Sequence, residues 1–439
     1  MRVLGGGRLT ERKWSRLLRN RKALGAVSLT LADVTAKAIG FIFTPYLANR
    51  MGAAGFGSLS LYLSASELLV FLLVLGGPAL VAADYVRNGY TSARRLRAAT
   101  LRLSLWIAGG LLVLSTALSI FAPSVIPLSV GALVVAVSYV QALNSLELAY
   151  YRGAQEYRYA IAGQFAFAAS NVILTVLAFE FHSPSATNRL LSVALAGGLV
   201  QLVYALELRR RSYDRASTQT TRANTSLIIS FGLSVSVHVV SAWVRASVDR
   251  FFVSAFVGLA AAGIYSVALT IAMVPAVFFA VVSQQLQPFL YRKLKDCDYS
   301  GFRKIQTLYV GLVILLVPVY YLLLRALFDL AFDREFDAAK PLLPVLLAGS
   351  SAQCIYYVFS HASFYERRGG LISMVTGGAL AVHLMGLGAL ALTGVVTTYR
   401  VALVFFVSSA VATVAMAFVS HRTVRKLITD ARIQSSMEH

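Results

Sequence analysis

Charge is the first thing this sequence lacks. Only 13% of its 439 residues are Asp, Glu, Lys or Arg, about half the share of an average soluble domain. Acidic residues are scarcest, 19 against 40 Lys and Arg, which leaves a formal net charge of +21. Cysteine is nearly absent. Cys297 and Cys354 stand far apart, so there is neither a disulfide framework nor metal-ligand spacing. Gly5, Gly6 and Gly7 are not followed by the Lys-Ser/Thr of a phosphate loop, so no built-in ATPase is expected. Asp296-Cys297-Asp298 resembles paired metal-binding aspartates, but it lies in a short loop with no nucleotide-binding domain beside it. A solvated turn is the expected reading, and no cofactor or metal is expected.

Apolar residues take the place of charge. They form 58% of the chain, and largely apolar runs of 20 or more residues recur from residue 25 to residue 420. Each is long enough to cross a hydrocarbon core of roughly 30 Å as a helix. The fold expected is an all-α integral membrane protein. Twelve spans are placed near 25–48, 56–83, 101–122, 126–150, 159–181, 190–208, 228–255, 262–289, 305–328, 342–365, 371–393 and 397–420. The first is too long for a signal-peptide core and contains Asp33 and Lys37, so it is expected to remain as a span.

Lys and Arg orient these spans. With the N-terminus in the cytoplasm, segments 1–24, 84–104, 151–158, 209–227, 290–304, 366–370 and 421–439 hold 31 of the 40 basic residues. The opposite face receives 6, namely Arg50, Arg189, Arg325, Arg334, Lys340 and Arg400, and 3 lie within spans. That asymmetry is a topology signal for an inner (plasma) membrane protein with both termini cytoplasmic. It accounts for the positive charge without nucleic acid. The segment from Arg12 to Lys22 suits either an interfacial helix or a basic tail.

Two halves are visible. Gly52 and Gly57 follow the first span, and Gly258 and Gly263 follow the seventh at the same spacing, 206 residues later. The surrounding text reads MGAAGFGSLSL and VGLAAAGIYSV. Six spans per repeat give the halves one orientation, and parallel repeats of this kind mark transporters. The expected organisation is a basic N-terminal segment (1–24), an N-lobe (25–208), a linker (209–227), a C-lobe (228–420) and a tail (421–439).

Polar residues inside the spans fall on helical stripes. The first span carries Thr30, Asp33, Lys37, Gly40 and Thr44 on one face, and the seventh carries Ser230, Ser234, His238, Ser241, Arg245 and Asp249. Further stripes are Ser60, Ser64 and Glu67; Gln141, Asn144 and Glu147; Gln164, Asn171 and Thr175; and Ser350, Cys354, Tyr357 and His361. Intramembrane ionisable groups point to function, here a hydrated cavity lined by the first and seventh spans. The plainer alternative is that Asp33–Lys37 and Arg245–Asp249 are self-neutralising i,i+4 pairs. Isolated Ser and Thr, with His238 and His361, are expected to pack between helices. Glu147, near the end of its span, is expected to be solvated.

Residues 24–87, with TPYLANRMGAAGFGSLSLYLSASELLVFLLVLGGPA, resemble the start of the polysaccharide and O-antigen flippase family. That family shares a superfamily with multidrug and toxin extrusion (MATE) exporters. Residues 245–292 resemble the start of its second half. The resemblance implies two six-helix lobes in a V, alternating access, and a polyprenyl-diphosphate-linked oligosaccharide as cargo for lipopolysaccharide or other surface polysaccharide. Membrane lipids, glycosyltransferases and a polymerase would be its partners. It points to Lys37, Arg245 and Arg250 as substrate-binding candidates, and to Asp33, Glu67 and Asp249 for ion coupling or charge pairing. Two rivals remain. A cation-coupled multidrug exporter would carry fewer cavity cations. A membrane polymerase or glycosyltransferase would need a longer external loop than 329–341.

Overall fold

The computed structural model describes residues 21–121, 127–210, 222–366 and 368–437. Most of the expected N-terminal segment and the linker stretch 211–221 lie outside them. The described residues form thirteen α-helices: α1 (Arg21–Val74), α2 (Gly77–Asn88), α3 (Tyr90–Phe121), α4 (Leu128–Gly153), α5 (Tyr157–Phe181), α6 (Ala186–Arg210), α7 (Arg222–Phe256), α8 (Leu259–Ala272), α9 (Val274–Lys295), α10 (Tyr299–Ala331), α11 (Leu343–Tyr365), α12 (Gly369–Thr393) and α13 (Thr398–Met437). A 3-10 segment, Arg334–Leu342, precedes α11.

Ten helical stretches are long and apolar enough to cross a membrane, and eleven if the bent pair Arg222–Ser236 and Val239–Phe256 is one span. The first stretch, Leu31–Val74, has 44 residues. At 1.5 Å per residue that is about 66 Å, twice the hydrocarbon thickness. It is interrupted at Gly52, whose backbone (φ 68, ψ 172) is not helical. Dividing it there, with the bent pair counted as one span, gives twelve, the number expected. The second span ends earlier than expected, at Val74, because Leu75 and Gly76 both take positive φ before α2 begins. Exposed side chains confirm the solvent: Leu308, Ile314, Leu322 and Leu330 on α10 are each more than 60% exposed, a pattern for lipid rather than water.

The chain divides into two compact units. One comprises Met1–Phe43 with Tyr62–Val237, the other Thr44–Leu61 with His238–His439. The first has a core of Val81, Leu96, Leu146, Tyr150, Tyr151 and Tyr204 where α2 to α6 meet. In the second, Gly349 of α11 lies flat against Phe405 of α13.

Within the second unit the repeat becomes a contact. A methyl group on Gly57 would overlap the carbonyl oxygen of Leu259, and one on Gly263 would overlap that of Ala53. One turn on, Ser266 donates to Ser60 at 2.8 Å. The paired positions 53/259, 57/263 and 60/266 all differ by 206, so the two stretches cross about a local two-fold axis. Only glycine permits so close a backbone approach. The preceding turns differ. Gly52 (φ 68) is covered by Glu335, whose Oε1 accepts the Ala53 N–H at 3.0 Å, and Asn49 brackets Ala331 and Asp333. Gly258 (φ 119) has no such cover.

Candidate functional site

In the first unit, the one-turn spacing of Asp33 and Lys37 does not make them a pair. Arg152, at the end of α4, donates to Asp33 Oδ2 at 2.5 Å. Arg152 was assigned to a basic loop; its reach across to α1 has no local sequence signal. Lys37 is exposed and has no ion-pair partner among the described residues. Glu67 is also exposed.

Glu147 corrects the expectation of a solvated carboxylate. It is 1% exposed and takes a two-pronged contact from Arg97 of α3, with Arg97 Nε to Oε2 at 3.0 Å. The guanidinium also lies over the Tyr150 ring, 5.6 Å from its centroid. A forked Arg–carboxylate pair fixes direction as well as charge, so it clamps α3 to α4. Arg189 moves indoors similarly. Its Nη1 donates to Asn171 at 2.5 Å and Thr175 at 2.7 Å, and it faces the Phe43 ring. The Asn171–Thr175 stripe is thus an interhelical tie. Gln141, Asn144 and Gln164 instead line a cavity of about 220 Å³ beside Tyr204.

The second unit holds the other buried charge. Asp249 of α7 is 1% exposed, but no ion pair with Arg245 is present among the described residues. Its Oδ2 accepts from the Tyr265 hydroxyl of α8 at 2.8 Å, and its Oδ1 lies 2.8 Å from His383 Nε2 of α12. His383 Nδ1 in turn lies 3.0 Å from Ser408 Oγ of α13. Four helices converge on this chain of groups, and His383 is fully buried. Ser408 donates its proton to the Phe405 carbonyl at 3.0 Å. That leaves the serine oxygen as an acceptor, so both ring nitrogens of His383 face acceptors. A doubly protonated ring satisfies both, and a neutral ring satisfies both only if Ser408 turns its hydroxyl inward.

Arg245 lies beside Tyr356 and Tyr357 of α11 instead, and Arg250 lies near Tyr265. His361 packs as expected, sharing a 2.8 Å hydrogen bond with Ser283 against the edge of Tyr291. The side chain of His238 lies outside the described residues. Sequence reading missed His383, Tyr265 and Ser408. The signal available was a lone histidine in the middle of an otherwise apolar span, a costly residue at that depth. Asp298 is the turn residue expected: it caps the start of α10 through Gly301 N at 2.8 Å and pairs with Lys293.

Residues 23–292 match the polysaccharide biosynthesis protein family, and the chain belongs to it. Among curated relatives, an uncharacterized membrane protein of Haemophilus influenzae is 25% identical over 378 residues, 83% of this chain and 89% of that one. A protein of the Lsg locus in the same organism is 20% identical over 384 residues, 84% and 91% of the two chains. Among solved structures, an inward-facing multidrug-resistance MATE transporter superposes with a TM-score of 0.68 at 14% identity, covering 88% of this chain and 95% of that one. A Pyrococcus furiosus transporter of the same superfamily, described as having a binding pocket of reversed polarity, gives 0.62 at 13%, covering 92% and 96%. The fold is therefore that of the MATE-like transporters, and the chain is a multi-pass membrane protein of the polysaccharide biosynthesis family.

Proposed function

We propose that this protein flips a polyprenyl-diphosphate-linked oligosaccharide from the cytoplasmic to the outer leaflet of the inner membrane, by alternating access, during surface polysaccharide assembly. The observation that carries this reading is the family match over 23–292 on a MATE-like fold. Lys37, Arg245 and Arg250 are the intramembrane cations offered to the diphosphate. Asp249 and His383 form the element that drives the cycle. An imidazole can both donate and accept at its ring nitrogens, which none of the intramembrane Arg or Lys residues does. Both termini are assigned to the cytoplasm by the 31-to-6 distribution of basic residues.

The test is reconstitution. In proteoliposomes, the protein should move a fluorescent short-chain polyprenyl-diphosphate oligosaccharide between leaflets faster than protein-free controls. Deletion in the host should leave that lipid on the cytoplasmic leaflet and abolish surface polymer. Normal surface polymer with altered drug resistance would instead support the multidrug exporter.

A further inference from the structure

A second cavity, of about 330 Å³, lies in the second unit between α10, α11 and α13, away from the Asp249–His383 chain. Its lining is graded. Arg303 and His421 are exposed at the rim. Gln306 and Ser420 are buried beneath them, and Val310 and Phe359 complete an apolar wall. None of its lining residues is acidic. Arg303 has no ion-pair partner among the described residues, and Arg422, Arg425 and Lys426 follow His421 on the same helix.

Gln306 is weakly held. Its Nε2 reaches Val358 O at 3.3 Å and Ser420 Oγ at 3.4 Å, beyond the usual range for an N–H donor. Both of its donors are held in long bonds, so either can turn to a nearer acceptor. The first unit shows what the same segment does when it is purely structural. There the matching text is YTSARRLR (90–97) against YSGFRKIQ (299–306). Arg97 stands where the second copy has Gln306, and Glu147 neutralises it. The second copy has a neutral amide at that position and leaves its rim cation, Arg303, open.

We propose that this cavity binds the phosphate of an anionic phospholipid from the leaflet on the basic-loop side, with Arg303 and His421 on the phosphate, Gln306 and Ser420 on the glycerol and ester oxygens, and the first acyl carbons against Val310 and Phe359. Cation rim, hydrogen-bonding floor and apolar wall follow the order of groups along such a lipid. Basic pockets between helices at this depth suit anionic headgroups. The site is independent of the cargo.

The experiment uses the full-length protein, purified and delipidated, with native mass spectrometry of bound lipid. Phosphatidylglycerol should bind in preference to phosphatidylcholine. Arg303→Gln should weaken phosphatidylglycerol binding by about fivefold, the effect of one interfacial cation, and His421→Gln should weaken it by the loss of a hydrogen bond to the phosphate. Gln306→Leu should weaken it without changing the headgroup preference. Arg334→Gln, outside the cavity, is the control and should leave binding unchanged. Inorganic phosphate should not compete at millimolar concentration; full competition would identify a soluble phosphate ligand and overturn the lipid assignment. Equal phosphatidylglycerol binding by wild type and the Arg303→Gln/His421→Gln double variant would overturn the site itself. Because both rim residues are exposed, the variants should fold, and a circular dichroism melt checks this directly.

Discussion

Among the described residues each unit buries one carboxylate almost completely, and the two are partnered in chemically opposite ways. Glu147 in the first unit meets Arg97, and Asp249 in the second meets His383. Arginine does not give up its proton in a protein. The carboxylate therefore always faces a cation, and removing either member strands the other in a dry site. Histidine both donates and accepts at its ring nitrogens. Its pair sits in a chain of polar groups closed by the hydroxyls of Tyr265 and Ser408. The first arrangement is a clamp. The second is, under the proposed function, the place where an ion gradient would act.

The largest effect tests the clamp. Glu147→Ala should leave Arg97 uncompensated, a cost of about 3–5 kcal/mol for a broken buried pair. The expected outcome is a severe loss of folded protein in the membrane, read by detergent-solubilised, size-exclusion-purified yield. Mutating both, Arg97→Met with Glu147→Leu, should recover much of it, because an apolar pair carries no desolvation penalty. If the double variant is as depleted as the single one, the clamp has another role.

The switch gives the next effect, on transport rather than abundance. His383→Gln keeps a donor toward Asp249 but cannot take up a proton. Yield should stay near wild type, while gradient-driven flipping falls by roughly 5–150-fold, the span of a coupling free energy of about 1–3 kcal/mol. Flipping without a pH gradient should be much less affected. Equal losses with and without the gradient would assign His383 to packing.

The contrast also shows what a sequence discloses. The spans, the repeat and the Gly57/Gly263 crossing follow from composition and spacing, because helix length and close backbone approach are local properties. Stripes identified Asp33, Glu147 and Asp249 for the same reason. The one-turn pairs offered as the alternative for Asp33 and Asp249 do not form, because that spacing permits a pair without requiring it. Asp33 takes Arg152 and Asp249 takes His383, 119 and 134 residues away. Such distances are set by tertiary packing, and a lone His or Arg in its own helix carries no mark of its partner.

Asp33 and Arg152 extend the comparison toward solvent. Their side chains are 29% and 40% exposed. A pair this open contributes at most about 1 kcal/mol after solvent screening. Asp33→Asn should therefore leave yield nearly unchanged. Transport is the informative readout: a normal flipping rate makes this a surface tie, whereas a loss at normal yield would give the first unit a functional carboxylate of its own.

The smallest effect belongs to a helix-cap pair, Asp298 and Lys293, whose side chains are 35% and 42% exposed. Asp298 accepts from the Lys293 ammonium at 2.5 Å, from Gly301 N at 2.8 Å and from Ser300 at 3.0 Å. These donors, the lysine first, lower its pKa from 3.8 to about 2. A carboxylate depressed on folding stabilises the folded state fully above its ordinary pKa, and the contribution fades as pH falls through the depressed value. Lys293 is raised by the same carboxylate, so its contribution is present below 10.5 and is lost only as pH rises beyond it. Protection of the first-turn amides of α10, corrected for intrinsic exchange, should therefore be level between about pH 5 and 9. It should decline toward pH 2. In Asp298→Asn the same amides should exchange faster already at neutral pH, with the acid decline removed, while yield and flipping stay at wild-type levels. This turn would then be a helix cap with no share in the switch, unlike Asp249. A transport defect in Asp298→Asn with intact protection would reverse that assignment and extend the working carboxylates beyond the buried one.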